Sequence, residues 1–271
     1  MIAARRARQQ CHLVLLSISS NETQFETLEE FQLFPRQISQ DLEILRDSGL
    51  VDVIVLPQVE ELFKYGPRHG AQVRLESDIL PRPYVHLESL AGESTLLIKL
   101  LLLMRPHRLY LGECDLIKCA MLRRVIDDLQ LVVDVVTLPT VRRDDGIAHD
   151  ARLQLLGPGE LDALVAVYRA LRAMVAGYLD DVFEAAELIA RGERILQGEP
   201  LLKVEHVRVA HPYGFQDIAT IDPAVGAALF VRVQVGGVGW HDNVILAPLI
   251  PAHEQTIWGL VRSTVVHPKD S

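Results

Sequence analysis

"HLVLLSISSNETQF", residues 12–25, carries an apolar run with strand character straight into a loop containing two amides, Asn21 and Gln24. An apolar run that ends in polar residues fits a parallel strand whose carboxyl end opens onto a ligand crevice. Three more apolar runs follow at wide spacing: "VDVIVLP" at 51–57, "HRLYLG" at 107–112 and "LVVDVVTLP" at 131–139. Helical patterns fill the intervals. Ile38, Leu42, Ile44 and Leu45 fall at helical spacing ahead of Gly49, a C-cap residue type, and Leu116, Ile117, Met121, Leu122, Val125 and Leu129 repeat the pattern. Strands alternating with helices predict an α/β domain built on a doubly wound parallel sheet.

After "VRRDDG" at 141–146 the texture changes. Residues 157–197 read as two helices opened by Gly157-Pro158-Gly159, and "KVEHVRVA" (203–210) and "AALFVRVQVGG" (227–237) read as strands of a smaller α+β unit. The expected division is a Rossmann-like domain over 1–150 and a smaller C-terminal α+β domain over 151–271. A chain of 271 residues can bury two unequal cores without staples, and 49% hydrophobic residues supply the material.

Net charge is −9 and the basic residues form no long stripe, which speaks against a nucleic-acid partner. Cys11, Cys114 and Cys119 are odd in number and form no C-x-x-C pair, so neither a disulfide frame nor a zinc site is suggested and a reducing, cytoplasmic setting is expected. The ten histidines include no H-E-x-x-H spacing, and no protein-held metal is expected. The opening "MIAARRARQQCHLVLLSISS" has a basic start, but its apolar run is short and no small-residue cleavage site follows, so it reads as helix then strand. "LLIKLLLLM" at 96–104 contains Lys99 and stops at Arg105-Pro106, short of the roughly 20 residues that span a bilayer. It reads as a core helix, and no membrane association is expected.

In open parallel sheets ligands bind outside the carboxyl ends of the strands, which selects the loops after the four runs. "SISSNETQFETLEEFQLFPR", "LGECDLIKC", "LPTVRRDDGIAHDARL" and the later "VGWHDNVIL" resemble, in that order, the V-N-P-x-Q-F, F-G-E-K-D, V-P-T-V-R-x-x-D-G and R-L-I-D-N segments of the pantothenate synthetase family. The likeness extends to about residue 247. It implies the nucleotidylyltransferase fold and an AMP-forming ligase that joins pantoate to β-alanine through an acyl adenylate, with ATP and Mg2+ as cofactors. It further implies a small-molecule acid and amine as partners and a homodimer. By the same resemblance Asn21 and Arg152 are catalytic, Gln24 and Lys118 bind the acid, and Gly112, Asp115, Val141 and Arg152 bind the nucleotide.

The residues also carry plainer readings. Asn21 and Gln24 fit a polar loop that caps its own backbone, Asp115 fits the N-cap of the following helix, and Cys114 fits a buried or half-buried thiol. Departures from the family pattern matter as well. Cys114 replaces the lysine of G-E-K-D, Lys118 replaces a glutamine of the acid pocket, and His149-Asp150-Ala151 replaces the Met-Ser-Ser that precedes the family's arginine, so Asp150 sets a negative charge where phosphates are expected. "RPYVHLESLAGES" is about four residues longer than the family's R-P-G-H-F turn. The family places a strand ending in P-T-M-G-x-L-H-x-G-H ahead of the first run here, and "RRARQQ" resembles the helix that follows it.

The chain is therefore expected to lack the central strand and its phosphate-gripping histidines. The flanking runs "HLVLLSI" and "HRLYLG" would then pair directly, take the C-terminal "TIWGLVRSTVV" between them, or fold poorly. Impaired activity is expected to follow, and two alternatives stand beside it: a catalytically inactive paralogue acting as a binding or oligomerisation partner, and an amide ligase for a different acid and amine.

Overall fold

The computed structural model describes residues 1–75 and 86–249. They divide into two compact units, one holding 1–75, 86–111 and 118–136 and the other 112–117 and 137–249. The first unit carries α1 (Ile2–Gln10), β1 (Leu15–Ser17), a 3-10 turn (Glu22–Gln24), α2 (Leu28–Leu33), α3 (Ile38–Ser48), β2 (Val53–Val55), α4 (Val59–Leu62) and α5 (Leu87–Met104). It also holds most of β3 (Arg108–Gly112), α6 (Leu116–Asp128) and β4 (Asp134–Leu138). Gly49 ends α3 with φ of +60°, the left-handed C-cap its position predicts.

β1 pairs with β2 in parallel, Leu15 opposite Val53 and Ser17 opposite Val55. β3 pairs with β4; Asp134 N donates to His107 O and Glu113 N to Leu138 O, bonds that advance together along both strands as a parallel pair requires. The alternation of strands and helices is thus realised. Direct pairing of the first and third runs is not: among the described residues β1 and β3 belong to separate two-stranded ladders. Side chains of β3 reach the end of α1 instead, with Arg108 donating to Gln10 O and the Tyr110 hydroxyl 3.5 Å from Cys11 Sγ. The segment "TIWGLVRSTVV" and the beginning of the turn after Arg82 lie outside the described residues.

Asp52 fixes the first ladder. Its Oδ2 accepts from Val14 N at 2.7 Å and from Arg8 at 2.6 Å, so one carboxylate holds α1 and the start of β1 to β2. The core of this unit gathers Ile98 and Leu101 of α5, Val125 and Ile126 of α6 and Val135 of β4, with a second patch of Phe63, Leu96 and Leu100. α5 is the core helix that its sequence predicts, although Leu102 and Leu103 face solvent. Among the described residues no helix is long and apolar enough to cross a membrane.

The second unit begins with a 3-10 turn (Ala151–Leu155), followed by α7 (Pro158–Leu179), α8 (Ala185–Leu196) and the antiparallel sheet β5 (Lys203–Ala210), β6 (Ala227–Val235), β7 (Val238–Leu246), in that spatial order. Pro158 opens α7 at the position where a missing N–H costs nothing, and Glu160 returns its carboxylate to Gly157 N. The helix pair and the sheet share one continuous core in which Ala170, Leu171, Met174, Leu188, Leu196, Leu229 and Val231 are fully buried.

Two expectations are corrected. "WHDN" at 240–243, which reads as a strand end, lies inside β7. Gly236 and Gly237, at φ of +54° and +79°, make a two-residue turn so tight that β7 starts at Val238. Cys114, expected buried or half-buried, is exposed on the loop before α6, whereas Cys119 inside α6 is buried.

Candidate functional site

In the first unit the amide hook is a closed capping box. Asn21 Oδ1 accepts from Thr23 N at 2.9 Å and from the Thr23 hydroxyl, while Gln24 Oε1 accepts from Asn21 N at 2.8 Å. The plainer reading of these two residues as backbone caps is therefore correct, and it leaves part of each side chain over. Asn21 is 2% exposed, and its Nδ2 is buried with no hydrogen-bond partner among the described residues. The two donors on Oδ1 fix the orientation of the amide, so a buried N–H pair faces away from the turn. An orphaned donor of this kind costs about 1–3 kcal/mol and marks either strain or a place kept for a ligand acceptor. Gln24 likewise commits its oxygen to the turn.

α5 seats this hook. Gly92 lies against Thr23 so closely that a Cβ there would overlap the Thr23 carbonyl and hydroxyl. The next residue, Glu93, holds Lys118 of α6 at 2.8 Å. Lys118, expected to meet the acid, thus has its charge balanced by a carboxylate that is 16% exposed.

In the second unit the nucleotide candidates gather on β7. Asp115 directly precedes α6, the N-cap position, and its Oδ2 is 3.5 Å from His241 Nε2. Asn243 Nδ2 donates to Glu113 O at 3.2 Å and Cys114 O at 3.0 Å, which holds the loop from Gly112 to Asp115 against the strand. Arg142 makes a bidentate pair with buried Asp242, at 2.6 and 2.9 Å, and lies over the Tyr168 ring. That pair anchors the loop carrying Val141, whose carbonyl accepts from His149 N at 2.8 Å and whose side chain is exposed.

Arg152 is the most constrained of the group. Nε and Nη2 donate to the two Asp150 oxygens at 3.0 and 2.8 Å, Nη1 donates to Gly239 O at 3.0 Å, and the guanidinium lies 5.5 Å from the Trp240 ring centre. Burial opposes ionisation of Asp150, but the hydrogen bonds and charge of Arg152, together with the charge of His241, hold its carboxyl below the ordinary carboxylate value.

Asp115 and Arg152 therefore converge on residues 239–241 of β7, while Asn21, Gln24 and Lys118 lie in the first unit, two on the hook and one on α6. The residues to which the sequence reading assigns no role are Thr23, Gly92, Glu93, His241, Asp242 and Asn243, although the last two fall on the D-N of the segment that resembles R-L-I-D-N. Only the last two carry a signal, as polar residues inside an apolar run. Among the described residues no three His, Cys, Asp or Glu side chains group as metal ligands.

Parallel strand pairs with connecting helices, followed by an antiparallel sheet, define an α/β protein of the nucleotidylyltransferase fold. Solved structures agree: a pantothenate synthetase from Thermus thermophilus matches with a TM-score of 0.83 and 29% identity over 89% of this chain and 86% of that one. A pantoate-β-alanine ligase from Francisella tularensis, complexed with β-γ ATP and β-alanine, has the same fold at a TM-score of 0.72 and 22% identity, over 90% of this chain and 83% of that one.

The family model for pantoate-β-alanine ligase matches residues 2–245, and the chain belongs to that family. Pantothenate synthetases from Chloroflexus aggregans and Acidobacterium capsulatum are 35% and 34% identical to it, each over 89% of this chain and over 86% and 80% of their own lengths.

Proposed function

We propose that the protein is an ATP-dependent, AMP-forming ligase that activates a carboxylic acid of the pantoate type as an acyl adenylate and passes it to an amine such as β-alanine. The observation that carries this reading is Asn21 Nδ2, buried and without a hydrogen-bond partner among the described residues, in a hook whose two amide oxygens are committed to its own turn. In this reading Asn21 donates to the acid and to the acyl adenylate, and Gln24 and Lys118 address the acid. Gly112, Asp115 and Val141 face the nucleotide, and Arg152 faces its phosphates. Magnesium comes with ATP and neutralises phosphate charge; the chain's own residues bind and orient. With domains of 1–150 and 151–271, the smaller one would contribute Arg152 and the larger one the other named residues, and the protein would act in the cytoplasm as a homodimer.

A second reading, an inactive paralogue or a ligase for a different acid and amine, draws support from the carboxylates already engaging Arg152 and Lys118. The deciding experiment is AMP formation with ATP, Mg2+, pantoate and β-alanine, in the wild type and in Asn21→Asp. The variant keeps the Oδ1 acceptor of the capping box and replaces only the donor. Equal yields of AMP and pantothenate are expected, with kcat/KM falling by about 10²-fold in the variant. No AMP at millimolar ATP from folded wild-type protein would remove the ligase reading.

A further inference from the structure

Arginine recognises phosphate through the edge bearing Nε and one Nη, the geometry that also suits a carboxylate. In Arg152 that edge is already taken. Asp150, two residues earlier, covers it with both oxygens, and its Oδ1 also accepts from Arg152 N at 2.8 Å as the cap of the 3-10 turn. The opposite end of the guanidinium donates to Gly239 O. The two side chains are 18% and 25% exposed, so the pair is partly shielded from solvent and salt.

We propose that Asp150 is an internal competitor for anions at Arg152, a specificity-determining residue that sets how weakly this site holds a polyphosphate. The inference rests on the reading in which Arg152 faces the nucleotide phosphates. A phosphate can use the Nε–Nη2 edge only after the Asp150 carboxylate has left it, and the displaced carboxylate then stands beside the incoming anion as a like charge. A competitor tethered two residues away has a high effective concentration and never diffuses off, so it acts at every ligand concentration. Removing its charge while keeping its shape should unmask the site.

The test is calorimetric titration of the full chain with sodium tripolyphosphate, which needs no nucleotide chemistry. Asp150→Asn retains the oxygen that caps Arg152 N, and Asp150→Ser serves as a second variant if the Asn amide blocks the edge. Charge removal is expected to tighten tripolyphosphate binding on the order of tenfold or more. The gain should vanish in Asp150→Asn/Arg152→Ala. Equal affinity in wild type and both single variants, a gain that survives the Arg152 change, or no binding by any form would overturn the proposal. AMP formation from ATP and pantoate, run alongside, separates the two readings. A tripolyphosphate gain without AMP from any form removes the ligase and keeps the competitor; AMP from the wild type without a tripolyphosphate gain does the reverse.

Discussion

Asn21 can be buried with a free donor only because its neighbours leave no alternative. Thr23 saturates Oδ1, Gln24 occupies the backbone N–H, and α5 presses on the turn at the one residue without a side chain, Gly92. Replacing Gly92 by alanine drives a methyl group into the Thr23 carbonyl, and either the helix or the hook must retreat. Overpacking of this kind costs about 1–3 kcal/mol. Gly92→Ala is therefore expected to lower the melting temperature and to raise KM for the acid more than KM for ATP; a variant with wild-type KM for the acid would show that the hook does not depend on this contact.

His206 makes a different point at the same scale. Burial, then the charges of Arg208, Arg232 and His241, push its pKa down from 6.5 to about 4 against the opposing pull of Asp217. A lowered histidine pKa means the folded state binds fewer protons than the unfolded one. Its stabilising contribution is complete above pH 6.5 and is lost as pH falls toward 4. Discounted for partial solvent exposure, the contribution is on the order of 1–2 kcal/mol. His206→Gln should thus lose less melting temperature than wild type between pH 7 and 4.5, and parallel curves would show the histidine to be neutral in this balance.

At the scale of elements, β7 does most to hold the loops of the proposed nucleotide side, and its periodicity gives no sign of it. The four apolar runs and the helices between them were legible because burial on a fixed face imposes a period. The Asn-x-x-Gln spacing of the hook was legible too, because a capping box has a fixed offset. "VGWHDNVIL" gives no such period, since Asp242 and Asn243 are polar residues buried to hold other loops, Arg142 in one case and the carbonyls of Glu113 and Cys114 in the other. Their partners are about a hundred residues or more away in sequence, beyond the reach of any local pattern.

Asn243→Leu keeps the volume and removes both donations. The loss costs about 1–3 kcal/mol and loosens the hold of β7 on the loop from Gly112 to Asp115. The expected kinetic result is a raised KM for ATP with KM for the acid unchanged, measured by steady-state AMP release. A change in both constants would argue for general unfolding.

For the whole molecule, the two units are built to different standards. The second joins two long helices to three strands of eight or nine residues, and its central strand β6 pairs on both sides, with Leu229, Val231 and Val233 fully buried. In the first, among the described residues, β1 and β2 are three residues each and pair only with one another, while Val53 within β2 and Leu13 and Leu56 beside the strands are exposed. A ladder so short, with one partner and partial cover, opens locally, whereas amides of a doubly paired, buried strand exchange only in larger openings. Hydrogen–deuterium exchange at neutral pH should show β6 protected at least about a hundredfold longer than β1 and β2, equivalent to about 3 kcal/mol of opening free energy. The hook follows β1 directly, so the same measurement reads the stiffness of the proposed acid site. Pantoate, bound at the Asn21 donor, is expected to slow exchange across residues 21–24 and to leave β6 unchanged. Protection of β1 and β2 equal to that of β6 without ligand would mean that the short ladder is braced by more than its own pairing, and that the acid site is rigid before its ligand arrives.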